Sequence, residues 1–387
     1  MKNFTKFLAV ALCFVIALST AACSLTPQWS YAHEDNELNI GVYIYAMFNA
    51  YNQAQTYAQQ TEGYDAEKGT YDGEESFLNV EITDDDGNKA VAEQWILDET
   101  DRTMRTLLAI DAEFERLGAT FDQAALDNHK ATAKEYWDYG PYYKLYGEQY
   151  LSPYKDTFEP LGVSYESFEY YYLTSAKQEV IFDTLYSDGG EKGVDDKELT
   201  KFFTENYTSY VYFNTNLYST TEVPAENEGE SATTKNEALS DKEIKEITSK
   251  FEGYVADTNA GKNVDDVVKA YMKDEDIKED PSSRGVEIMD ESVIGEDLVK
   301  AIEDLKEGQA TYKVVGEGDT KVIYYLYKEP IDKQVKTYIG DAVNRSSVLQ
   351  SYKGEEFQSY IDTLADEIEF TVSKAVNAYE PADFEAE

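Results

Sequence analysis

Apolar residues along this chain follow a helical period at both ends and a strand period in between. From Ala90 to Leu117 the residues Met104, Leu107, Ile110, Phe114 and Leu117 recur at three- and four-residue intervals, which predicts one long amphipathic helix. Gly118 follows where a left-handed stop is expected. The stretch NIGVYIYAMFNAYNQAQTYAQQ, 39–60, is apolar on more than one side and predicts a buried first helix. Another helix is expected over 121–138. Ser164 can cap a further one, in which Phe168, Tyr172, Leu173, Ala176 and Val180 share a face. Asp195 can cap a short helix to Tyr207.

The pattern then changes. SYVYFNTNLY, 209–218, is aromatic and β-branched, as strands are. Helices are expected at 240–257, 264–272 and 293–306, and strands at 285–289, 310–316 and 320–328. The last two strands are joined by a GEGD turn. Residues 219–238 read as a polar, low-complexity insertion. Two helices close the chain, the second carrying Phe357, Tyr360, Ile361, Leu364 and Ile368 as one stripe. That stripe is too large to stay exposed, so it is expected to pack back onto the opening helices. The fold class expected is therefore α+β. One mostly helical domain is formed by 39–207 and 332–378, and a small antiparallel-sheet domain, 208–331, is inserted into it.

The first 38 residues belong to neither domain. Lys2 and Lys6 precede an apolar run, Phe7 to Leu18, and then the small residues of Ser19-Thr20-Ala21-Ala22. The run is shorter than the ~20 residues of a membrane span, so 1–22 reads as a secretory signal. Cys23 directly after Ala21-Ala22 resembles the lipobox of bacterial lipoproteins, with Thr20 where Leu is usual. The resemblance implies a lipid anchor on Cys23, and two acyl chains suffice for stable attachment. Residues 23–38 are expected to be a polar tether. The protein would then stand on the extracytoplasmic face of the bacterial cell membrane.

Charge and composition remove several function classes. Cleavage before Cys23 takes away two lysines and no acids, moving the formal charge from −43 to −45. Such a surface repels phosphate backbones, so no nucleic-acid partner is expected. With Cys23 acylated, no thiol remains for catalysis, disulfides or metal. The only histidines are His33 and His129. Metal-like spacing occurs once, in ITDDDGNKAVAE, 82–93, whose first position is Ile82 with no ligand oxygen. An Asp-Gly turn before a helix is expected there. No metal and no cofactor are expected.

At EDPSSRGVEIMDESVIGEDLVKAIEDLKEGQAT, 279–311, the chain resembles the second half of a parvulin-type peptidyl-prolyl isomerase domain, with Asp280, Gly285, Ala301, Leu305 and Gly308 in matching places. GKNVDDVVKAYMKD, 261–274, resembles the preceding helix and 209–213 the first strand. The helical segments on either side are similar to the extracytoplasmic foldases of the PrsA and SurA type, in which a parvulin domain is inserted between chaperone segments. The resemblance implies an isomerase site at Tyr212, Asp280 and Ile323. Active members carry histidines at the places of Tyr212 and Ile323, and no histidine occurs in 209–330. The expectation is a degenerate module with little or no isomerase activity.

Tyrosine supplies the remaining signal. The chain has 33, of which twelve fall within 136–186. One helix face cannot bury the three consecutive rings of Tyr170, Tyr171 and Tyr172. Tyrosine offers a large, stiff contact area at low entropic cost. Tyr142, Tyr143, Tyr170, Tyr171 and Tyr172 are therefore candidate substrate-binding residues, against the competing reading that such rings fill a core. The function expected is a membrane-tethered chaperone or foldase whose partners are unfolded, newly secreted polypeptides. An active isomerase using Tyr212 and Asp280, and a surface ligand-binding lipoprotein, are the alternatives.

Overall fold

The computed structural model describes residues 29–65, 70–71, 76–223 and 233–385. The signal segment, Cys23 and the first part of the expected tether lie outside the described residues. Contacts divide the chain into two units, Met1–Gly193 with Gly354–Glu387, and Val194–Lys353. The chain is α+β, mostly helical, with several small antiparallel sheets.

The expected tether is not a tether from Trp29 onward. Strands β1 (Trp29–His33) and β2 (Asn36–Asn39) pair antiparallel. Ser30, Tyr31 and Leu38 are buried, and the Ser30 hydroxyl donates to the Leu38 carbonyl at 3.0 Å. Reading the stretch as polar overlooked that its few apolar residues alternate. Asn39 then caps α1 (Ile40–Gln59) by accepting from the Gly41 N–H. Helix α1 is buried on two sides, which explains its nearly unbroken apolar sequence. Val42, Ala46, Met47 and Ala50 face one core, and Ile44 faces a second with Ala133, Trp137, Phe158 and Phe168.

Short hairpins follow: β3 (Tyr64–Asp65) with β4 (Thr70–Tyr71), and β5 (Glu81–Thr83) with β6 (Lys89–Val91). The DDDG stretch makes the second turn. The Asp84 carboxylate accepts the N–H groups of Asp86 and Asn88 at 3.1 and 2.8 Å. Among the described residues no group of carboxylates, histidines or cysteines is arranged to hold a metal. Helix α2 (Ala92–Arg116) packs on α1, followed by α3 (Gln123–Tyr139), α4 (Tyr143–Tyr146), α5 (Tyr154–Phe158) and α6 (Tyr165–Tyr186). Asp122 and Ser164 cap α3 and α6.

The second unit opens with α7 (Asp196–Asn206), capped by Asp195. Its sheet contains β7 (Tyr207–Asn216), β10 (Ser283–Ile288), β11 (Ala310–Val315) and β12 (Val322–Glu329) in the order β10-β7-β12-β11. Between β7 and β10 come β8 (Tyr218–Val223), β9 (Thr233–Ala238), α8 (Asp241–Asn259) and α9 (Val264–Asp274), and α10 (Glu296–Glu303) precedes β11. The flanks of the expected low-complexity insertion are β8 and β9, which pair as an antiparallel ribbon. Each strand carries a Thr-Thr pair, a β-branched residue type that suits a solvated ladder better than a loose loop. One sheet face packs on α8 and α9 through Val211, Phe213, Ile323 and Tyr325. The other packs on α10 through Tyr210, Leu326 and Ile302.

Helices α11 (Val335–Gly340) and α12 (Ala342–Glu367) come next, and the unit boundary falls within α12 at Gly354. The sequence-read boundaries, 207/208 and 331/332, lie inside the second unit. Buried Phe203 of α7 stacks on Tyr338 of α11 at 5.2 Å. Arg345 binds Asp196 and the Val194 carbonyl. These contacts bind the two flanking helical segments to each other within the second unit. The end of α12 meets the first unit as the stripe predicted. Phe357 packs edge-on against Phe182 at 5.4 Å, and the Tyr360 hydroxyl donates to Glu113 at 2.7 Å. Beyond it β13 (Thr371–Val372) pairs with β1.

Candidate polypeptide-binding surface

The aromatic run YGPYYKLYGEQYLSPY, 139–154, leaves the end of α3 and returns at α5. Its base is closed by the Ser152 N–H donating to the Tyr139 carbonyl at 3.0 Å. Gly140 makes the closure possible. Its φ is +88°, and a Cβ there would lie 2.3 Å from the Ser152 carbonyl oxygen. No other residue type fits both conditions. The loop so pinned carries a short α4 and the single turn 148–150.

Its side chains do not turn inward. Tyr142, Leu145, Tyr146 and Leu151 are 58, 73, 57 and 52 % exposed, with Tyr139 and Tyr150 nearly half exposed. The rings pack against one another. Tyr139 stacks on Tyr143 at 4.9 Å, Tyr142 lies 6.4 Å from Tyr146, and Tyr146 lies 5.0 Å from Tyr150. Isolated exposed apolar residues are ordinary, but six in thirteen positions form a contiguous patch, and such patches mark interaction sites. Nearby charges largely cancel, with Lys134 on Asp138 at 2.9 Å and Lys144 on Glu135 at 3.4 Å.

The other predicted tyrosines divide. Tyr170 is structural: its hydroxyl donates to Asp111 at 2.7 Å, and the Lys177 ammonium lies 4.7 Å from its ring. Burial, with Asp111 beside it, pushes its phenol well above the ordinary tyrosine value. Tyr171 and Tyr172 instead line a cavity of about 430 Å³ with Tyr45, Leu107 and Phe168. Tyr171 meets Tyr45 edge-on at 4.8 Å, and Tyr172 meets Tyr136 of α3 at 5.8 Å. The sequence reading chose Tyr142 and Tyr143 and missed Tyr139, Leu145, Tyr146, Tyr150 and Leu151. The signal for them was present, because Gly140-Pro141, Gly147 and Pro153 break any helix that could bury them.

Of the residues aligned with an isomerase site, Tyr212 and Ile323 do not converge. Tyr212 pairs with Leu326 in register, so its face is shared by Tyr210, Tyr324 and Leu326. Tyr212 and Tyr324 are 6.2 Å apart. Ile323 belongs to the opposite face, fully buried against α8 and α9. The period of two in a strand puts neighbouring residues on opposite sides, so Ile323 cannot share a site with Tyr212. Asp280 is exposed and accepts both the N–H and the hydroxyl of Ser282, at 2.8 and 2.7 Å. Those bonds hold its carboxyl below the usual carboxylate range. On the Tyr212 face, the Tyr210 hydroxyl and the Ser292 hydroxyl both donate to Glu287.

Comparison with known proteins gives few matches. No family model matches the chain. No curated protein matches it. Among solved structures it is similar to the foldase protein PrsA from Streptococcus pneumoniae, at 15 % identity over 73 % of this chain and 94 % of that one, with a TM-score of 0.23. It is also similar to PrsA from Bacillus subtilis, at 15 % identity over 78 % of this chain and 99 % of that one, with a TM-score of 0.25.

Proposed function

We propose that this chain is a membrane-anchored extracytoplasmic chaperone that binds unfolded exported polypeptides and has little or no prolyl isomerase activity. The observation that carries the reading is the pinned loop that holds six tyrosine and leucine side chains in solvent. A client ring laid on one tyrosine gains about 0.5–1.5 kcal/mol beyond its area burial. Micromolar binding needs about 8 kcal/mol, so several rings must engage one client at once. A run of neighbouring rings provides this without demanding a particular client sequence. The anchor proposed is a lipid on Cys23, which would keep the binding surface where chains emerge from export. Among the described residues no helix is long and apolar enough to cross a membrane.

Weak isomerisation is the second reading, and one observation favours it: the Tyr212 and Tyr324 rings share a sheet face. The reaction needs no covalent step, only a dry pocket that favours the twisted amide over a barrier of about 18–20 kcal/mol. That face has no histidine, and Glu287 is engaged by Tyr210 and Ser292.

Two assays on the mature protein separate these readings. Suppression of client aggregation at stoichiometric amounts is expected for the wild type. It is expected to be lost when Tyr142, Leu145 and Tyr146 are replaced by serine. Protease-coupled turnover of a proline peptide should stay at the uncatalysed rate. Turnover that Tyr212→Phe abolishes would establish the isomerase instead.

A further inference from the structure

The cavity between α2 and α6 has a composition of its own. It is lined by the aromatic and aliphatic side chains of Tyr45, Phe168, Tyr171, Tyr172 and Leu107 and by a polar set of four hydroxyl residues, the Gln178 amide and Arg102. Three of the hydroxyls, those of Thr106, Thr174 and Ser175, are committed as donors. Thr106 donates to the Arg102 carbonyl at 3.0 Å, Thr174 to the Tyr170 carbonyl at 3.3 Å, and Ser175 to the Tyr172 carbonyl at 3.1 Å. A hydroxyl has one proton and two lone pairs, so these three can offer a ligand only acceptors. Arg102, the one cation of the rim, is neutralised by the bidentate grip of Glu99 at 2.7 and 2.8 Å, and Asp86 and Asp362 add further negative field there. The whole chain carries −43.

Aromatic rings, acceptor oxygens that include the Gln178 amide carbonyl, and a net negative field beside Arg102 are complementary to a planar or compact cation with several N–H donors and an apolar stem. The same helix already uses it internally, since Lys134 lies 4.9 Å from the Tyr165 ring and Lys177 lies 4.7 Å from the Tyr170 ring. At about 430 Å³ the cavity falls within the range of roughly 300–1,000 Å³ of ligand sites. We propose that this cavity is a subsite for an arginine or lysine side chain of a bound polypeptide, with the guanidinium or ammonium against the tyrosine faces and the hydroxyl rim. This rests on the polypeptide-binding reading above and adds a sequence preference to it, for basic clients over acidic ones.

The test uses the full mature chain and blocked tripeptides, acetyl-Gly-Xaa-Gly-amide, with Xaa arginine, lysine, leucine or glutamate. Binding is followed by the backbone amide shifts of Thr106 and Ser175. The arginine peptide should shift both and bind about tenfold more tightly than the leucine or glutamate peptide, a difference worth ~1.4 kcal/mol, and the difference should shrink with added salt. Ser175→Phe fills the exposed rim and should abolish the Thr106 shift at unchanged melting temperature. Thr106→Val removes one acceptor and should weaken the arginine peptide more than the leucine peptide. Equal binding of leucine, or no shift with any peptide, overturns the subsite. Client aggregation assayed alongside keeps the two claims apart. Suppression without arginine binding leaves the chaperone reading standing and sinks the subsite. Arginine binding without suppression does the reverse.

Discussion

Single residues explain why the second unit is built as it is. Gly285 lies opposite Tyr210 across β10 and β7. A Cβ at Gly285 would meet the Tyr210 ring at 2.2 Å. The ring cannot yield, because it is buried and its hydroxyl is bonded to Glu287. Gly285→Ala is therefore expected to destabilise this unit by about 1–3 kcal/mol, the usual cost of overpacking. Denaturant unfolding would measure it, and the cost should fall when Tyr210 is already alanine, as neighbours couple. The sequence singled out this glycine only through a resemblance to the parvulin pattern. The face on which each aligned residue lies was not legible in it. Tyr212 and Ile323 look equivalent in an alignment, yet one sits on the α10 side and the other is sealed under α8 and α9.

At the scale of elements, burial decides which part of the chain can be read. Helices with one apolar stripe or a capping residue were visible: α2, α6 with Ser164, α7 with Asp195, and the closing stripe of α12. Phe357 opens that stripe. It is 8 % exposed and sits edge-on to Phe182 at 5.4 Å and Tyr186 at 6.4 Å. Phe357→Ala is expected to cost about 3–5 kcal/mol, seen as a lower melting temperature of the first unit. The pinned loop should behave in the opposite way. Serine at Tyr142, Leu145 and Tyr146 truncates side chains that are more than half exposed, so stability should change by about 0.5 kcal/mol or less per site while client binding falls. The β1–β2 hairpin was missed because its sequence is short and largely polar. Its pairing partner, β13, lies more than 330 residues away, and local pattern carries no trace of such a contact.

The whole molecule combines strong acidity with an abundance of tyrosine, and both have consequences in solution. Burial raises the phenols of Tyr43, Tyr45 and Tyr325 from 10.0 to about 12. Below pH 10 these groups are protonated in both the folded and the unfolded chain, so their full contribution is present. Between pH 10 and 12 the unfolded chain releases protons that the folded chain keeps, and stability falls as pH rises. Ultraviolet titration should show part of the 33 tyrosines ionising only as the fold is lost. The discontinuous first unit, closed by a tail that returns from the far end of the chain, was legible because an apolar stripe that long must find a partner. That tyrosine serves both as core and as exposed surface was not, since composition alone does not say which rings a pinned loop will hold in water. The account's central claim is that these exposed rings capture unfolded chains, and equilibrium binding of a fluorescently labelled, permanently unfolded polypeptide tests it most directly. Saturable binding to the mature wild type, weakened at least about tenfold in the Tyr142→Ser, Leu145→Ser, Tyr146→Ser variant at unchanged melting temperature, is the result expected. Equal binding by both proteins, or by neither, would contradict it.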